Sequence, residues 1–241
     1  MEIRVNTLIF EVTRQCNLKC DFCLRGEAQN LKISKDVIDA VFEKIENVYD
    51  IVFTGGEPSL NVEAIEYIFE KIKEKEMVIP FWLAINGKEY SPKLVEILLN
   101  YYGYCYSEDE YLAENCGLTV SRDIYHGDIA KENLGKYQAL KFYNDSKDFS
   151  KSDKRKIINE GLAQINEIGE RDIKKEETEL SIDDYDDDSI IIDTIYINAK
   201  GDILGCCDLS YSSQEKYSLG NILDTTLESI VKDSINKQMI A

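Results

Sequence analysis

Apolar residues along this chain fall into two alternating patterns: short runs of β-forming residues, and longer stretches where they recur every three or four positions. The run Leu8-Ile9-Phe10-Glu11-Val12 reads as a first, largely buried strand. Helical spacing follows in Val37, Ile38, Val41, Phe42, Ile45 and Val48, behind Ser34, whose hydroxyl suits an N-cap. The second unit joins a strand over Ile51-Val52-Phe53 to a helix capped by Asn61, with Ile65, Ile68, Phe69 and Ile72 on one face. The third joins Phe81-Trp82-Leu83-Ala84-Ile85 to a helix started by Ser91-Pro92, a cap followed by proline at the first helical position.

Tyr101 to Asn115, rich in tyrosine and acid, interrupts the alternation before Cys116-Gly-Leu-Thr-Val120, the predicted fourth strand. Lys131 to Leu140 and Lys154 to Ile168 have helical character, with Phe142-Tyr143 as a short strand between them. Ile190 to Asn198 and Asp202 to Cys207 read as a hairpin around Lys200-Gly201, and Thr225 to Ile235 as a final helix. Alternating β and α units call for a parallel sheet with right-handed crossovers. A full eight-unit barrel takes about 250 residues, so the expected fold class is α/β, a partial (β/α)6 TIM-like barrel with a small C-terminal β-hairpin plus helix extension. The expected parts are a barrel core over 1–170, an acidic connector over 171–189 and the extension over 190–241. The barrel is expected to begin almost at residue 1, with no recognition domain before it.

Composition narrows the function classes. With 28 Lys and Arg against 46 Asp and Glu, the formal net charge of -18 argues against a nucleic-acid backbone as partner. Much of the acid lies between Glu176 and Asp188, the pattern of a solvated connector or, more sharply, of a dock for a basic peptide or an electron donor. No apolar stretch approaches the length of a membrane span, and the N-terminal run has no signal-peptide cleavage site. Seven cysteines without an export signal point to the reducing cytoplasm and to metal or catalytic use.

The densest chemistry is Cys16-Asn-Leu-Lys-Cys20-Asp-Phe-Cys23, three thiolates in eight residues with no fourth ligand close by. A structural zinc site wants four ligands, reached here only through a distant residue. A [4Fe-4S] cluster held by three cysteines instead leaves one iron open to a substrate or cofactor. Active sites of parallel α/β folds sit at the C-terminal ends of the strands. The triplet follows the first strand, Thr54-Gly55-Gly56-Glu57-Pro58 the second, Asn86-Gly87 the third and Ser121-Arg122-Asp123 the fourth. The two glycines permit a sharp turn that brings unpaired backbone groups to a ligand, and Glu57 adds a carboxylate for a positive group. Arg122 offers a fork-shaped donor, and His126, the only histidine, suits a proton donor or a substrate contact.

The C-x3-C-x-aromatic-C spacing, with Phe22 in the aromatic place, together with the unsubstituted Gly55-Gly56-Glu57-Pro58, resembles the signature of the radical S-adenosylmethionine (radical SAM) superfamily. The resemblance implies Cys16, Cys20 and Cys23 as ligands of a [4Fe-4S] cluster. It also implies S-adenosylmethionine on the open iron, its one-electron cleavage, and a 5'-deoxyadenosyl radical that abstracts hydrogen from a substrate. Phe22, Gly55, Gly56, Glu57, Asn86 and Ser121 would surround the cofactor, with Ile85 in the threonine place of the family's Thr-Asn-Gly element. Arg122, Asp123 and His126 are the catalytic candidates. An external flavodoxin- or ferredoxin-like electron donor and a peptide or small-molecule substrate are implied as partners.

The tail from Tyr196 to Cys207, followed by Gly220-Asn221-Ile222 and a helix, resembles the start of the SPASM and twitch extensions, whose later cysteines bind auxiliary iron-sulfur clusters. No cysteine follows Cys207 here, so the expectation is a truncated extension that caps the barrel, with an auxiliary cluster the lesser outcome. On a strand, Cys206 and Cys207 would face opposite sides, and Cys105 and Cys116 hold no recognised position. The competing class is a non-enzymatic metal-binding or interaction module organised by a structural zinc or iron-sulfur centre.

Overall fold

The computed structural model describes residues 2–45, 47–122, 126, 128–145, 156–185 and 189–240. The first predicted strand is the middle of a longer one, β1 (Glu2–Thr13). Three helical crossovers follow: α1 (Lys35–Lys44) to β2 (Asn47–Gly55), α2 (Val62–Glu74) to β3 (Phe81–Ile85), and α3 (Pro92–Glu108) with α4 (Glu110–Ala113) to β4 (Gly117–Val120). Then come α5 (Lys131–Gln138), α6 (Gly161–Ile165), β5 (Ile182–Tyr185), β6 (Ser189–Ile197), β7 (Asp202–Leu204), α7 (Tyr211–Lys216), β8 (Gly220–Asn221) and α8 (Leu227–Ile240). The sheet order is β4-β3-β2-β1-β6-β7-β8, with β5 paired to β6, and its two ends do not meet among the described residues. β4, β3, β2, β1 and β6 run parallel; β5, β7 and β8 join antiparallel.

The helices start where the sequence signals them. The Ser34 and Ser91 side chains accept from Val37 N and Leu94 N, and Pro92 stands in the first turn. Asn61 occupies the N-cap position of α2 as expected, but its side chain makes no cap bond; its Nδ2 donates to Val12 O at 2.7 Å and ties the start of α2 to the end of β1. Val48 belongs to β2, because α1 stops at Lys44 with Ile45 as its C-cap. The tyrosine-rich stretch is no interruption: α3 continues through it, and buried Tyr101 stacks on Phe69 with ring centroids 3.7 Å apart. Of the helix predicted over Lys154 to Ile168 only α6 forms among the described residues, and Tyr143 makes a single bridge to Leu118 where a strand was predicted.

The C-terminal hairpin forms, and its first strand continues the barrel sheet. β6 pairs with β1 in parallel from Glu2 opposite Ser189 to Phe10 opposite Ile197. The burial of Ile190, Ile192, Ile195 and Ile197 in the same core as Val5, Leu8 and Phe10 accounts for this docking, since a parallel strand is covered on both faces. Part of the acidic stretch is structured too, as a 3-10 turn at Lys175–Thr178 and as the edge strand β5. β7 stops at Leu204, so Cys206 and Cys207 lie beyond the strand and the expected alternation of their faces does not apply. Among the described residues no helix is long and apolar enough to cross a membrane.

Candidate active site

The C-terminal ends of the parallel strands open on a cavity of about 530 Å³. Its wall brings together Cys16, Cys20, Cys23, Phe22, Gly55, Gly56, Glu57, Asn86, Ser121 and His126, from four separate strand ends. Arg122 is not part of that wall and is ion-paired with Asp145. Asp123 lies outside the described residues. His126 meets the Phe22 ring edge-on, with centroids 5.4 Å apart.

The loop bearing the triplet is held by its own backbone and by the Gly-Gly-Glu-Pro turn. Arg14 N donates to Leu31 O, Gln29 N to Arg14 O and Cys23 N to Cys20 O. Gly56 N donates to Thr13 O and Glu57 N to Gln15 O, each at 2.8 Å. A Cβ at Gly55 would come within 2.2 Å of Thr13 O, and one at Gly56 within 2.4 Å of Gln15 O. The glycines are therefore required for close approach to the base of the cysteine loop. This corrects the expectation that the turn leaves its backbone groups unpaired: at Gly56 and Glu57 the N–H groups are already used.

Glu57, only 2% exposed, is the hub of the rim. Its Oε1 accepts from Ser59 N at 3.1 Å and Ser59 Oγ at 2.6 Å, and its Oε2 accepts from Asn86 N at 2.8 Å. Asn86 Nδ2 donates to Asn17 Oδ1 at 2.8 Å, so β2, β3 and the residue after Cys16 are joined in one chain of contacts. Ser121 N donates to Ile85 O and sets the β4 end beside β3. Burial pushes the Glu57 carboxyl above its ordinary value of 4.5, more than the bonds from Ser59 and Asn86 pull it down. A raised carboxyl keeps its proton longer in the folded than in the unfolded chain. Its contribution to stability is therefore complete below pH 4.5 and is lost as pH rises to the folded value. In the apo protein, Glu57→Gln should flatten the stability-pH curve in that window, measured by urea unfolding across the acid range; an unchanged slope would refute the assignment.

The donor set suits a thiolate-bound cluster. Cys16 is pushed up by burial, while Leu18 N donates to its Sγ at 3.5 Å and favours the thiolate. Amide bonds to sulfur are one of the ways a protein tunes an iron-sulfur centre. Among the described residues no three His, Cys, Asp or Glu side chains, the triplet included, stand close enough together to hold a single metal ion. Cys105 and Cys116 are buried free thiols hydrogen-bonded to each other, next to the strand N-termini: Cys116 immediately precedes β4, and the Cys105 Sγ reaches Ile79 O before β3. They lie at the opposite end of the sheet from the triplet. Cys206 and Cys207 are half-buried against Ile9, Tyr196, Leu204 and Leu209, and burial pushes Cys207 up to about 11.

Sequence reasoning missed the buried polar cluster behind the cysteine loop. Arg14 Nε donates to Glu11 Oε1 at 2.6 Å, and both side chains are essentially unexposed. Arg14 also reaches Gln29 and Gln214 and lies 4.4 Å over the Tyr211 ring, while Tyr196 Oη donates to Glu11 Oε2 at 2.6 Å. Arg25 is held by Leu209 O at 2.6 Å and lies over the Tyr196 ring. One signal was present: Glu11 is a lone acid inside an apolar strand, three residues before an arginine, and a buried charge demands a partner. Tyr196, Gln214 and Tyr211 had no such signal, because they come from the far end of the chain.

Comparison with known proteins agrees with this arrangement. Residues 10–106 match the Radical SAM superfamily model, and residues 190–240 match SPASM, an iron-sulfur cluster-binding domain. An uncharacterized protein of Methanocaldococcus jannaschii, MJ0907, is 40% identical over 67 residues, 26% of this chain and only 23% of that relative's length. The crystal structure of BtrN in complex with AdoMet and 2-DOIA superposes with a TM-score of 0.55 at 16% identity, over 95% of this chain and 83% of that one. Selenomethionine BtrN in an open conformation gives 0.50 at 13% identity, over 94% and 79%. At these identities the two structures speak for the fold alone. With the triplet and the glycine turn on one rim and two family models matched in order, residues 10–106 are of the radical SAM type and residues 190–240 form a SPASM-type C-terminal segment.

Proposed function

We propose that Cys16, Cys20 and Cys23 hold a [4Fe-4S] cluster whose open iron takes S-adenosylmethionine, in a reaction that modifies a peptide or a small molecule. The observation that carries this reading is the shared cavity wall, where the three thiols stand beside the Gly-Gly-Glu-Pro turn, Asn86 and Ser121. When bound, the cluster supplies the electron that cleaves the sulfonium and releases a 5'-deoxyadenosyl radical for hydrogen abstraction. The chain's own part is to orient and to shield. Glu57 braces the base of the cysteine loop through its N–H on Gln15 O and Asn86 through Asn17, Phe22 and Ile85 line the cavity with apolar surface, and Ser121 offers a polar contact. His126 is the described side chain on this wall best suited to hold or deliver a proton to substrate.

The partners we assign are an external flavodoxin- or ferredoxin-like donor and a substrate admitted through the open side of the sheet, in a reducing cytoplasm. The SPASM-type segment contributes Cys206 and Cys207, half of a four-thiolate set, and Cys105 and Cys116 are at the wrong end of the sheet to complete it. Anaerobic reconstitution with iron and sulfide, followed by dithionite and S-adenosylmethionine, should yield 5'-deoxyadenosine. A fully loaded protein that makes none, and whose reduced EPR spectrum does not respond to S-adenosylmethionine, would leave the metal-binding module as the correct reading.

A further inference from the structure

Two buried arginines bracket the cysteine loop, Arg14 two residues before Cys16 and Arg25 two residues after Cys23. Consecutive Cα atoms are about 3.8 Å apart, so each arginine Cα lies within about 8 Å of the Cα of a proposed cluster ligand. The backbone holds both in place: Arg14 N donates to Leu31 O and Gln29 N to Arg14 O, while Tyr211 N donates to Arg25 O and Gly26 N to Cys23 O. A guanidinium is not deprotonated in a protein, so both cations are permanent.

The buried carboxylates do not balance them. Glu11 is paired with Arg14 at 2.6 Å, and Glu57, the other buried acid among the described residues, is bound to Ser59 and Asn86 on the rim. Arg25 makes no ion pair among the described residues: its Nη1 donates to the neutral Leu209 O at 2.6 Å and its guanidinium lies 5.1 Å over the Tyr196 ring. Glu11 is within its electrostatic reach but is already shared with Arg14. Within the loop the exposed Lys19 and Asp21 offset each other. Behind the loop, two cations and one carboxylate leave positive charge in excess. A buried charge without a counter-charge is costly, and the loop in front of it carries three thiols that become thiolates when they bind metal.

We propose that the unbalanced charge of Arg25 stabilises the reduced state of the [4Fe-4S] cluster held by Cys16, Cys20 and Cys23, and so raises its reduction potential. The inference rests on the cluster assignment above. A cluster on three thiolates is negative and becomes more so on taking an electron, and the charge around it is one of the levers on its potential. Arg25 needs no contact with iron or sulfur to act in this way, since a buried charge is screened little by salt.

The test is an EPR-monitored redox titration of the reconstituted wild type and three variants. Arg25→Gln removes the charge and keeps an N–H for Leu209 O; its reduced-to-oxidised ratio at a fixed potential should fall about tenfold, equivalent to about 59 mV for a one-electron couple. Arg25→Lys keeps the charge and should stay close to the wild type. Glu11→Gln removes the carboxylate that offsets the arginines and should move the ratio the opposite way, a sign that a merely loosened fold has no reason to give. An unaltered potential in Arg25→Gln overturns the proposal, and so does an Arg25→Lys shift as large as that of Arg25→Gln. If Arg25→Gln takes up no cluster, Glu11→Gln decides: a raised potential supports the proposal, an unchanged or lowered one overturns it. A wild-type protein that takes up no cluster brings down the cofactor assignment as well, whereas a loaded Arg25→Gln protein with the wild-type potential brings down this inference alone.

Discussion

Alanine in place of Cys16, Cys20 or Cys23 is expected to leave a folded chain that neither retains a cluster nor cleaves S-adenosylmethionine. The three thiols are half-buried on the cavity wall and belong to neither hydrophobic core, so their loss removes little packing. The loop keeps its backbone bonds from Arg14 to Leu31, from Gln29 to Arg14 and from Glu57 to Gln15. What disappears is one of the three proposed iron ligands. Loss of a mere outer partner of a metal ligand costs roughly 10- to 100-fold, and loss of the ligand itself should exceed that. Iron content, the visible charge-transfer band and 5'-deoxyadenosine yield should fall together while far-ultraviolet circular dichroism stays the same. A single alanine variant that still binds four irons and turns over would place the cluster elsewhere. Cys105→Ala and Cys116→Ala, at the other end of the sheet, should retain the cluster and serve as controls.

The second large effect lies behind the site. Arg14→Ala should cost about 3–5 kcal/mol, the usual penalty for removing one member of a buried ion pair. Glu11 is fully buried, and without Arg14 its hydrogen bonds among the described residues would come from the uncharged Tyr196 Oη, Gln214 Nε2 and Ala199 N, with Arg25 left as a cation within electrostatic reach. The loss also removes the bonds to Gln29 and Gln214 and the cation over Tyr211, so the barrel and the C-terminal segment would part at their main polar contact. Urea unfolding of Arg14→Ala, Glu11→Gln and the double variant measures the pair. The double variant should be less damaged than the sum of the singles, yet not neutral, because Tyr196 and Gln214 would keep an unmatched partner. An Arg14→Ala protein destabilised by less than about 1 kcal/mol would show that the cluster is not the seam the structure depicts.

The first half of the fold was legible because each unit buries its own local pattern. β1 through α3 could be read from runs such as Phe81 to Ile85, from the spacing of Ile65, Ile68, Phe69 and Ile72, and from the serine caps at Ser34 and Ser91. Asn61 shows the limit of such reading. A residue with the chemistry of a cap instead spends its amide on Val12 O, a choice made by proximity across 49 positions. The glycine pair was legible as a turn, but its purpose was not: only the structure shows Thr13 O and Gln15 O where the Cβ atoms would be. Likewise Cys206 and Cys207 were read onto a strand that stops two residues earlier, because nothing local marks the end of a short edge strand.

By itself, the sequence determined the alternating elements, the thiol spacing and the rim on which four motifs would meet, since all three follow from periodicity within a few residues and from the polarity of parallel strands. The tertiary structure decided that β6 pairs with β1, that Gln214 reaches Arg14 across 200 positions, and that Tyr211, from the far end of the chain, joins the wall of the cavity. Those pairings have no local signature. Buried charges and strand edges must be satisfied, and which distant group satisfies them is settled only when the chain packs.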